Sequence, residues 1–568
     1  MRRVITCGMT VVSTRPIPER ARLNLTQAGV HPLLARLYAA RGVTDSSQTS
    51  YSLHALLPPE RMKGAGAAAD LLASAIAHQE KILIVADYDC DGATACAVGL
   101  RTLRAFGGKV DFITPDRFTM GYGLSEEVVK LARERGARVL VTVDNGISSL
   151  EGVALAQSYG MQVIVTDHHL PGPELPSADV IVNPNQPGCD FPSKSVAGVG
   201  VMFYVMLALR AELRRRKAFD SVQEPNLARL LDLVALGTVA DVVALDQNNR
   251  ILVAQGLRLI RQGKMHPGIA ALLSVAGRQA VTVTTFDLGF AIGPRLNAAG
   301  RMEDMSLGID CLVTDDHARA MNMAQALDCI NHQRRFTEAH MQQEADAFLE
   351  RMDTSSSAAI VLQDENWHQG IIGILAGRIK DKCHRPTIIF ATCGNGELRG
   401  SGRSIKGFHI RDALERVSSL HPGLILRFGG HAAAAGLTLK SSALSRFCSA
   451  FEKVAHEWIA PDVLMRCIDT DGELEYGYHN LECAYMLRDE IWGQGFPPPL
   501  FAGCFNVNKQ QLLKNKHLKL ALSQGGAHFN AIRFNYAGEV PATIEAVYRL
   551  EANEFRGNAA IQLNIEHF

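Results

Sequence analysis

Acidic and imidazole side chains cluster at three places in this chain of 568 residues, each time directly after a short apolar run. The clusters span Asp87–Gly92, Asp144–Gly146 and Asp167–His169. A single carboxylate in such a position usually caps a helix or lies on the surface. Several crowded carboxylates repel one another and raise each other's pKa unless cations neutralise them. The clusters therefore predict a metal site whose candidate ligands are Asp87, Asp89, Asp91, Asp144 and His168.

A fourth acidic position completes the candidate metal site. Asp241 ends the apolar run Leu231–Asp241, which is interpreted as a helix or strand that brings one carboxylate out of the core. Asp232 lies in the same run and is the rival candidate. Carboxylate oxygens and imidazole nitrogens without thiolate suit Mn²⁺ or Mg²⁺ better than structural zinc, although they do not exclude zinc. The identity of the metal stays open at this point.

The elements that carry these clusters follow a repeating order. Ile82–Ala86, Val139–Val143 and Val163–Thr166 are short and rich in β-branched residues, as buried parallel strands are. Helix-like stretches, Ala93–Phe106 and Ser148–Tyr159, lie between them. Alternating strands and helices predict an α/β fold with a parallel sheet, in which ligands bind at the carboxyl ends of the strands. All the clusters are therefore expected at one edge of the sheet.

In their order and spacing, the acidic segments resemble the four motifs of the DHH phosphoesterases. These segments are Asp87–Gly92, Asp144–Gly146, Asp167–His169 and Gly237–Asp241. Four downstream segments are similar to one branch of that family, the bacterial single-strand-specific exonucleases: Gly293–Met302, Trp367–Gly370, Ser401–Ser404 and Gly429–Gly436. The resemblance covers nearly the whole chain from about Val30. It implies a DHH domain with a parallel sheet, a long connecting helix, a DHHA1 α/β domain and a C-terminal OB-type β-barrel.

The residue pattern agrees with this domain order. Residues 315–352 contain neither Gly nor Pro and carry apolar residues three apart, which predicts one helix of roughly 50 Å at about 1.5 Å per residue. Leu518, Leu520 and Leu522 alternate with other residues, as in half-buried antiparallel strands of a barrel. The expected divisions are a helical lead-in (1–80), the DHH domain (81–314), the connecting helix (315–352), the DHHA1 domain (353–464) and the OB-type domain (465–568).

The resemblance also implies roles for the site residues. Two divalent ions, Mn²⁺ or Mg²⁺, would be bridged by Asp144 and would activate a shared water. Adjacent side chains of an extended backbone point apart, so His168 is assigned to metal and His169 to the scissile phosphate. Asp167 is expected to orient the ligating histidine, and Asp241 to complete the second ion's ligands. The catalytic set is thus Asp144, Asp167 and His169; which two of Asp87, Asp89 and Asp91 bind metal directly stays open.

Six residues are candidates for binding the substrate: Arg117, Arg301, Ser401, Arg403, Gly430 and His431. The arginines have the geometry to bind phosphate oxygens, although Asp116 replaces the family's usual Asn and is able to hold Arg117 in an ion pair. Ser401 and Arg403 share one face of a predicted strand and suit a terminal phosphate; a salt-bridged strand end is the alternative. Glycine at 430 lets backbone amides approach phosphate, or serves a plain turn. Tyr122, Trp367 and Phe408 are candidates for stacking on bases.

Composition restricts the partners and the compartment. Lys plus Arg equals Asp plus Glu at 58 each, so any grip on nucleic acid must come from a local positive lining. The barrel segment offers four lysines for such a lining, with a solvated hairpin as the alternative: Lys509, Lys514, Lys516 and Lys519. The twelve cysteines include no Cys-x-x-Cys, and no apolar run suits a signal peptide or a bilayer. A cytoplasmic protein with no membrane partner is expected.

The expected function is metal-dependent hydrolysis of single-stranded DNA from the 5′ end, with substrate and polarity taken from the resemblance. Single-strand-binding protein and a helicase are the further partners that the resemblance implies. One alternative is a DHH phosphodiesterase or pyrophosphatase acting on small nucleotides, which should need neither barrel nor long helix. The other is a non-catalytic DNA-binding scaffold, which should have lost the acids that this chain retains.

Overall fold

The computed structural model describes residues 5–7, 10–116, 120–121, 123–220, 222–352, 357–555 and 557–568. Two compact units make up the chain. The first consists of Met1–Thr14 and His332–Thr470, and the second of Arg15–Asn331 and Asp471–Phe568. The α/β fold class is confirmed, because a parallel sheet, a mixed sheet and a closed barrel are present. Within the described ranges, no helix is both long and apolar enough to cross a bilayer.

The N-terminal segment is helical only from Glu19 onward. Two strands precede the helices and pair with each other in antiparallel fashion. The second strand, Thr-Val-Val-Ser-Thr, is rich in β-branched residues, which favour strands over helices. The elements are strands β1 (Ile5–Cys7) and β2 (Thr10–Thr14) and helices α1 (Glu19–Gln27), α2 (Pro32–Ala39) and α3 (Ala65–Ala77).

A five-stranded, wholly parallel sheet forms the centre of the second unit. The strands are β3 (Lys81–Ala86), β4 (Lys109–Ile113), β5 (Val139–Val143), β6 (Gln162–Thr166) and β7 (Val180–Val182), with helices α4 (Cys90–Ala105), α5 (Glu126–Glu134) and α6 (Leu150–Ser158). Their order in the sheet is β4-β3-β5-β6-β7. The connection direction therefore reverses between β3 and β5, and such switch points are where open α/β sheets bind ligands.

Helices follow the parallel sheet in the second unit, and one of them ends at the fourth acidic residue, Asp241. The helix that contains Asp232 is apolar and buried over its first eight residues, and Asp241 is its C-cap. The helices are α7 (Gly198–Arg215), α8 (Leu231–Ala240), α9 (Gln247–Arg261), α10 (Pro267–Val275), α11 (Thr285–Asp287), α12 (Gly293–Met302) and α13 (Ser306–Val313). A π-helical turn, Leu288–Ile292, joins α11 to α12.

The long helix expected from the sequence is α14 (His317–Leu349), and the division between the units falls within it. A mixed sheet of order β11-β12-β10-β9-β8 follows in the first unit. Its strands are β8 (Ile360–Asp364), β9 (Thr387–Thr392), β10 (Glu397–Arg403), β11 (Arg427–Gly430) and β12 (Ala434–Lys440), with helices α15 (Ile372–Cys383), α16 (Ile410–Leu420) and α17 (Leu444–Trp458).

The C-terminal part contains the barrel. Strand β13 (Arg466–Thr470) pairs with β2 in the first unit and is therefore not a barrel strand. The first strand of the barrel begins at Phe501. Leu518, Leu520 and Leu522 point into the barrel core, as their spacing predicted. The remaining elements are helix α18 (Leu481–Asp489) and barrel strands β14 (Phe501–Leu513), β15 (His517–Gln524), β16 (Ala527–Arg533), β17 (Thr543–Phe555) and β18 (Asn558–His567).

A buried ion pair ties the segment before the barrel to the turn that follows α2. Both terminal nitrogens of Arg41 bind the carboxylate of Asp471, at 2.8 and 2.9 Å, and both side chains are 1% exposed. Tyr38, in the last turn of α2, packs against Trp492 and Phe496. Barrel residues thus share one apolar core with the parallel sheet. Ending the chain near Met465 would strip that core, so the barrel is not a detachable module.

Replacing Asp471 by Ala is expected to destabilise the second unit by about 3–5 kcal/mol, because it leaves the guanidinium of Arg41 buried without its counter-ion. The loss should appear as a lower urea midpoint by circular dichroism. The control is Glu554→Ala, which breaks an exposed pair with Arg488 and should cost at most about 1 kcal/mol. Equal midpoints for the two variants would contradict this role of the buried pair.

Candidate metal centre

The three acidic clusters lie side by side because their first residues extend the sheet by one more position. The amide of Asp87 donates to Val143 O, that of Asp144 to Thr166 O, and that of Asp167 to Val182 O, at 3.1–3.2 Å. Neighbouring strands lie about 4.8 Å apart. Hydrogen bonding of the backbone therefore sets the three carboxylates in a row at the carboxyl edge of the sheet.

The imidazole of His168 lies at the centre of the site. Its Nε2 is 3.0 Å from Asp144 Oδ1, 3.4 Å from Asp241 Oδ2 and 3.9 Å from Asp91 Oδ2. Three elements are needed for this convergence: the end of β5, the C-cap of α8 and the first turn of α4. Residues that are up to 150 positions apart in sequence thus direct ligand atoms at one point.

Among the residues that the structure describes, three groups of ligand atoms have all their members within 4.8 Å of one another. One group contains Asp87, Asp89 and Asp144, and another contains Asp91, His168 and Asp241. A third joins Asp144 to both His168 and His169. Asp144 therefore connects a cluster made from the first motif to a cluster around the histidines, which is the position a bridging ligand requires.

The carboxylates of the site oppose one another's ionisation. Burial, followed by the charges of Asp91 and Asp89, raises the pKa of Asp144 well above its usual range. Burial and the same two charges raise the pKa of Asp241. Burial and the charge of Asp89 raise the pKa of Asp91 to about 7, against hydrogen bonds that lower it.

An orphaned oxygen shows that the site fits a cation. Asp144 Oδ1 is buried; His168 Nε2 lies 3.0 Å away without forming a hydrogen bond to it, and no other residue in the described ranges donates one. Buried polar atoms normally have partners, and crowded carboxylates normally need neutralisation. Oxygen and imidazole donors without thiolate match Mn²⁺ or Mg²⁺. The residues present therefore fit divalent metal ions.

Local backbone geometry holds Asp144 and Asp91 in place. Asp144 has a φ of 62°, which Asp and Asn tolerate better than most side chains. A Cβ on Gly198 would lie 2.7 Å from the Cβ of Asp144, so only glycine fits at the start of α7. The amides of Gly198 and Val199 donate to the two carboxylate oxygens of Asp91, at 2.6 and 2.9 Å. The helix N-terminus thus holds Asp91 in its buried position.

Asp167 holds the ring of His169, whereas the sequence predicted that it would orient His168. Its Oδ1 accepts from His169 Nδ1 at 2.7 Å, and its Oδ2 accepts from the amide of Ile147 at 2.9 Å. Burial opposes ionisation of Asp167, but the hydrogen bond and charge of His169 outweigh it and lower the pKa. Burial likewise opposes the charge on His169, yet Asp167 raises the pKa of His169 to about 9. The two imidazoles lie with centroids 4.6 Å apart, closer than an extended backbone predicts.

The rival fourth acid, Asp232, is engaged elsewhere. It is fully buried and accepts from the amide of His266 at 2.7 Å and contacts its Nδ1 at 2.9 Å. Asp241 takes the place near His168. The sequence analysis missed Asn297 on α12, whose Oδ1 accepts from the amide of Cys90 at 2.7 Å. The sequence could have indicated Asn297, because this residue lies within Gly293–Met302, a segment that resembles a motif of the family.

A second group of candidate residues lies at one end of the mixed sheet. Ser401 and Arg403 share a face of β10, and Arg403 Nη1 donates to Ser401 Oγ at 3.2 Å. A Cβ on Gly373, in the first turn of α15, would lie 3.0 Å from Arg403 Nη2 and from Ser401 Oγ. The pair therefore packs directly on a helix N-terminus, where the helix dipole favours anions.

Arg403 is a largely buried cation. Burial lowers the pKa of its guanidinium, and no carboxylate in the described part of the chain pairs with it. The salt-bridged strand end considered as the alternative is therefore wrong. Arg399, which the sequence analysis did not single out, lies on the same face two residues before Ser401.

The other substrate candidates differ in how the structure places them. Gly430 has a φ of 135°, and a Cβ there would lie 2.5 Å from Ala434 O, so the β11–β12 turn requires glycine. His431 follows it on the surface and donates its amide to Ala434 O. Arg301 lies in the last turn of α12. Arg117 and Tyr122 lie outside the described residues.

Two predicted stacking platforms are wrong. Trp367 is 3% exposed and donates Nε1–H to Glu344 at 2.9 Å. Phe408 is 4% exposed and packs against Phe451 and Trp458. Both rings are core residues and have no face available for a base.

Comparison with known families agrees with this architecture. Residues 81–238 match the DHH family, N-terminal domain; residues 356–457 match the DHHA1 domain; and residues 470–567 match the RecJ OB domain. Fold and site thus define the class that the four motifs predicted, the DHH phosphoesterases.

Individual relatives show to which family within that class the chain belongs. The single-stranded-DNA-specific exonuclease RecJ of Escherichia coli K12 is 47% identical over 97% of this chain and 98% of its own length. The protein of the same name from Bacillus subtilis is 33% identical over 97% of this chain and 70% of its own. The crystal structure of RecJ in complex with Mn²⁺ from Thermus thermophilus superposes with a TM-score of 0.83 at 28% identity, covering 98% of this chain and 79% of that one. The chain belongs to the RecJ family.

Proposed function

We propose that this chain is a metal-dependent exonuclease that hydrolyses single-stranded DNA from the 5′ end to nucleotides, in DNA repair and recombination. The observation that carries the proposal is the convergence of all four acidic motifs on one edge of the sheet, with Asp144 shared between two clusters of ligand atoms. Relatives that are 47–49% identical over nearly their whole length are named as single-stranded-DNA-specific exonucleases. A scaffold that had lost catalysis would not need this intact set.

The metal-binding residues divide between two positions. Asp87, Asp89 and Asp144 would hold one ion, and Asp91, His168 and Asp241 would hold the other, with Asp144 as the bridge. Mn²⁺ and Mg²⁺ are the ions named in solved structures of relatives. When bound, such a pair lowers the pKa of a water molecule and offsets the charge that develops on the attacked phosphate.

His169 is the residue of this chain that we assign to the scissile phosphate. Asp167 accepts a hydrogen bond from its Nδ1, which orients the ring and favours the imidazolium form, in which Nε2 also carries a proton. Asp167 and the nearby carboxylates raise the pKa of His169 to about 9 in the metal-free protein, and the protonated ring would donate a charge-assisted hydrogen bond from Nε2 to a phosphate oxygen. The side chain is 34% exposed, which leaves it accessible to substrate.

The 5′ end is assigned to the Ser401–Arg403 pair. A terminal phosphate there would receive a hydroxyl, a guanidinium and the amides of a helix N-terminus, and it would supply the anion that the buried Arg403 otherwise lacks. Gly430 ends β11 of the same sheet and would let the turn approach a phosphate closely, and His431, which follows it, would contribute its imidazole. Arg117 and Arg301 complete the proposed phosphate contacts.

The barrel is assigned to binding the strand downstream of the cut. Four exposed lysines lie on its β14–β15 hairpin without an ion pair in the described part of the chain: Lys509, Lys514, Lys516 and Lys519. Exposed cations of this kind bind phosphates and make affinity salt-dependent. From the family resemblance we further propose that the protein acts in the cytoplasm and that single-strand-binding protein and a helicase are its partners.

A digest of end-labelled oligonucleotides tests the function. With Mn²⁺ or Mg²⁺, 5′-labelled single strands should release labelled mononucleotide at once, whereas 3′-labelled strands should shorten progressively and release label last. Duplex DNA of the same sequence is the control and should resist. Hydrolysis confined to dinucleotides would favour the small-nucleotide phosphodiesterase, and binding without hydrolysis would favour the scaffold.

A further inference from the structure

An exposed pair of aromatic rings lies on the turn that precedes α12. Phe286 and Phe290 are 59% and 73% exposed, and their rings stack with centroids 4.8 Å apart at 26°. Single exposed apolar side chains are common on proteins, whereas two large rings in contact form a contiguous apolar patch, the kind of surface that marks binding sites. The two rings are four residues apart in a helical segment and therefore share one face.

The backbone that carries the rings is firmly held. Thr284 and Asp287 form a capping box, and Thr285 Oγ1 donates to Trp492 O at 2.7 Å. The rings flank the start of a π-helical turn, a feature that is frequent at functional sites. The pair is thus displayed from anchored backbone rather than from a loose loop.

The same turn packs against the helix that delivers Asp241. A Cβ on Gly289 would lie 3.3 Å from Val239 Cγ1, and one on Gly293 would lie 3.2 Å from Ala240 Cβ. From Phe290, seven residues of helix lead to Asn297, which binds the amide of Cys90 in the first motif. Seven residues correspond to about 10 Å of helix, or about three bases stacked at 3.4 Å each.

We propose that Phe286 and Phe290 form a base-stacking platform for single-stranded DNA next to the metal centre. This inference rests on the proposed function. Phenylalanine has a π-face but no hydrogen-bonding group, so the platform would accept every base, as an enzyme that degrades any sequence requires. The turn packs against the helix that carries Asp241, which favours the nucleic-acid substrate, since that substrate has to reach the acidic cluster, over a protein partner.

Binding measured without hydrolysis tests the platform. Fluorescence anisotropy in metal-free buffer would compare a 5′-phosphorylated oligothymidylate with versions that carry one abasic position each. The wild-type protein should lose affinity at particular abasic positions. The double variant Phe286→Ala/Phe290→Ala should bind the intact strand about tenfold more weakly, the loss of a stacked base, and should no longer respond to those positions.

The control is Val281→Ala, an apolar residue of the neighbouring 3₁₀ turn that is 73% exposed but has no ring; it should bind as the wild type does. In Phe290→Trp, intact oligothymidylate should quench the indole emission more than abasic strands do. A double variant with wild-type affinity, or an unchanged response to abasic positions, would overturn the platform. A wild-type protein that binds in this position-dependent way but fails the labelled digest would refute the exonuclease alone.

Discussion

Replacing Asp144 by Asn is expected to lower the turnover of single-stranded DNA by about a thousandfold or more, because a bridging ligand contributes several kcal/mol and each 1.4 kcal/mol is tenfold. Asn is preferred to Ala because it has the same shape and tolerates the φ of 62° at this position. Turnover in saturating Mn²⁺ measures the effect. A variant that digests DNA at near the wild-type rate would contradict the shared role of Asp144.

The same substitution should not destabilise the metal-free protein. Since the pKa of Asp144 is raised on folding above its ordinary 3.8, the unfolded chain ionises this carboxyl more readily than the folded chain does. The charge therefore opposes folding at every pH above about 4, and increasingly until the pH passes the folded pKa. In chelator at pH 7, Asp144→Asn should have an equal or higher urea midpoint than the wild type, and the difference should vanish below pH 4.

Asp232→Asn is the matched control. Asp232 is another fully buried acid of the second unit, but it binds His266 and lies outside the three groups of ligand atoms. Its variant should lose stability, because a buried contact is weakened, while keeping its turnover. Asp144→Asn should thus lose turnover and keep its stability, whereas Asp232→Asn should lose stability and keep its turnover. A loss of activity in Asp232→Asn as large as in Asp144→Asn would show that any disturbance of this core abolishes turnover.

The metal centre was predictable because most of its acidic residues directly follow strands that the sequence reveals. Asp87, Asp144 and Asp167 each follow an apolar run, and the parallel sheet aligns such ends without further information. The roles assigned to the two histidines stay a prediction, but the premise behind them was wrong. It assumed an extended backbone after Asp167, whereas Asp167 accepts the amides of His168 and His169 and turns the chain there. Both imidazoles therefore lie beside Asp144.

The aromatic residues were not predictable because ring exposure depends on tertiary packing. Trp367 lies next to a matched histidine and glycine, yet α14 covers it. Phe286 and Phe290 lie in an apolar stretch, Phe-Asp-Leu-Gly-Phe-Ala-Ile, that looks like core in sequence. Only the packing of Leu288 and Ile292 inward turns the two rings outward. β13 pairs with β2, which lies more than 450 residues away, and the sequence near either strand does not indicate this partner.

Replacing Arg403 by Ala is expected to raise the KM for 5′-phosphorylated strands about ten- to a hundredfold while changing the KM for 5′-hydroxyl strands little. Only a phosphorylated end loses a charge-assisted contact, which is worth about 1.5–3 kcal/mol. The guanidinium is largely buried beside Ser401 and the start of α15 and has no counter-ion in the described ranges, so a bound anion is its natural partner.

Steady-state kinetics on matched strands that differ only in the 5′ group measure this selectivity. Arg416→Ala removes an exposed arginine of α16 in the same unit and should leave the ratio of the two KM values unchanged. Because Arg403 otherwise lacks an anion, its removal should not destabilise the apo protein, and the urea midpoint checks that the fold is intact. Equal losses on both substrates would show that Arg403 contacts the strand away from its end, whereas a lowered midpoint with unchanged selectivity would assign it to the fold.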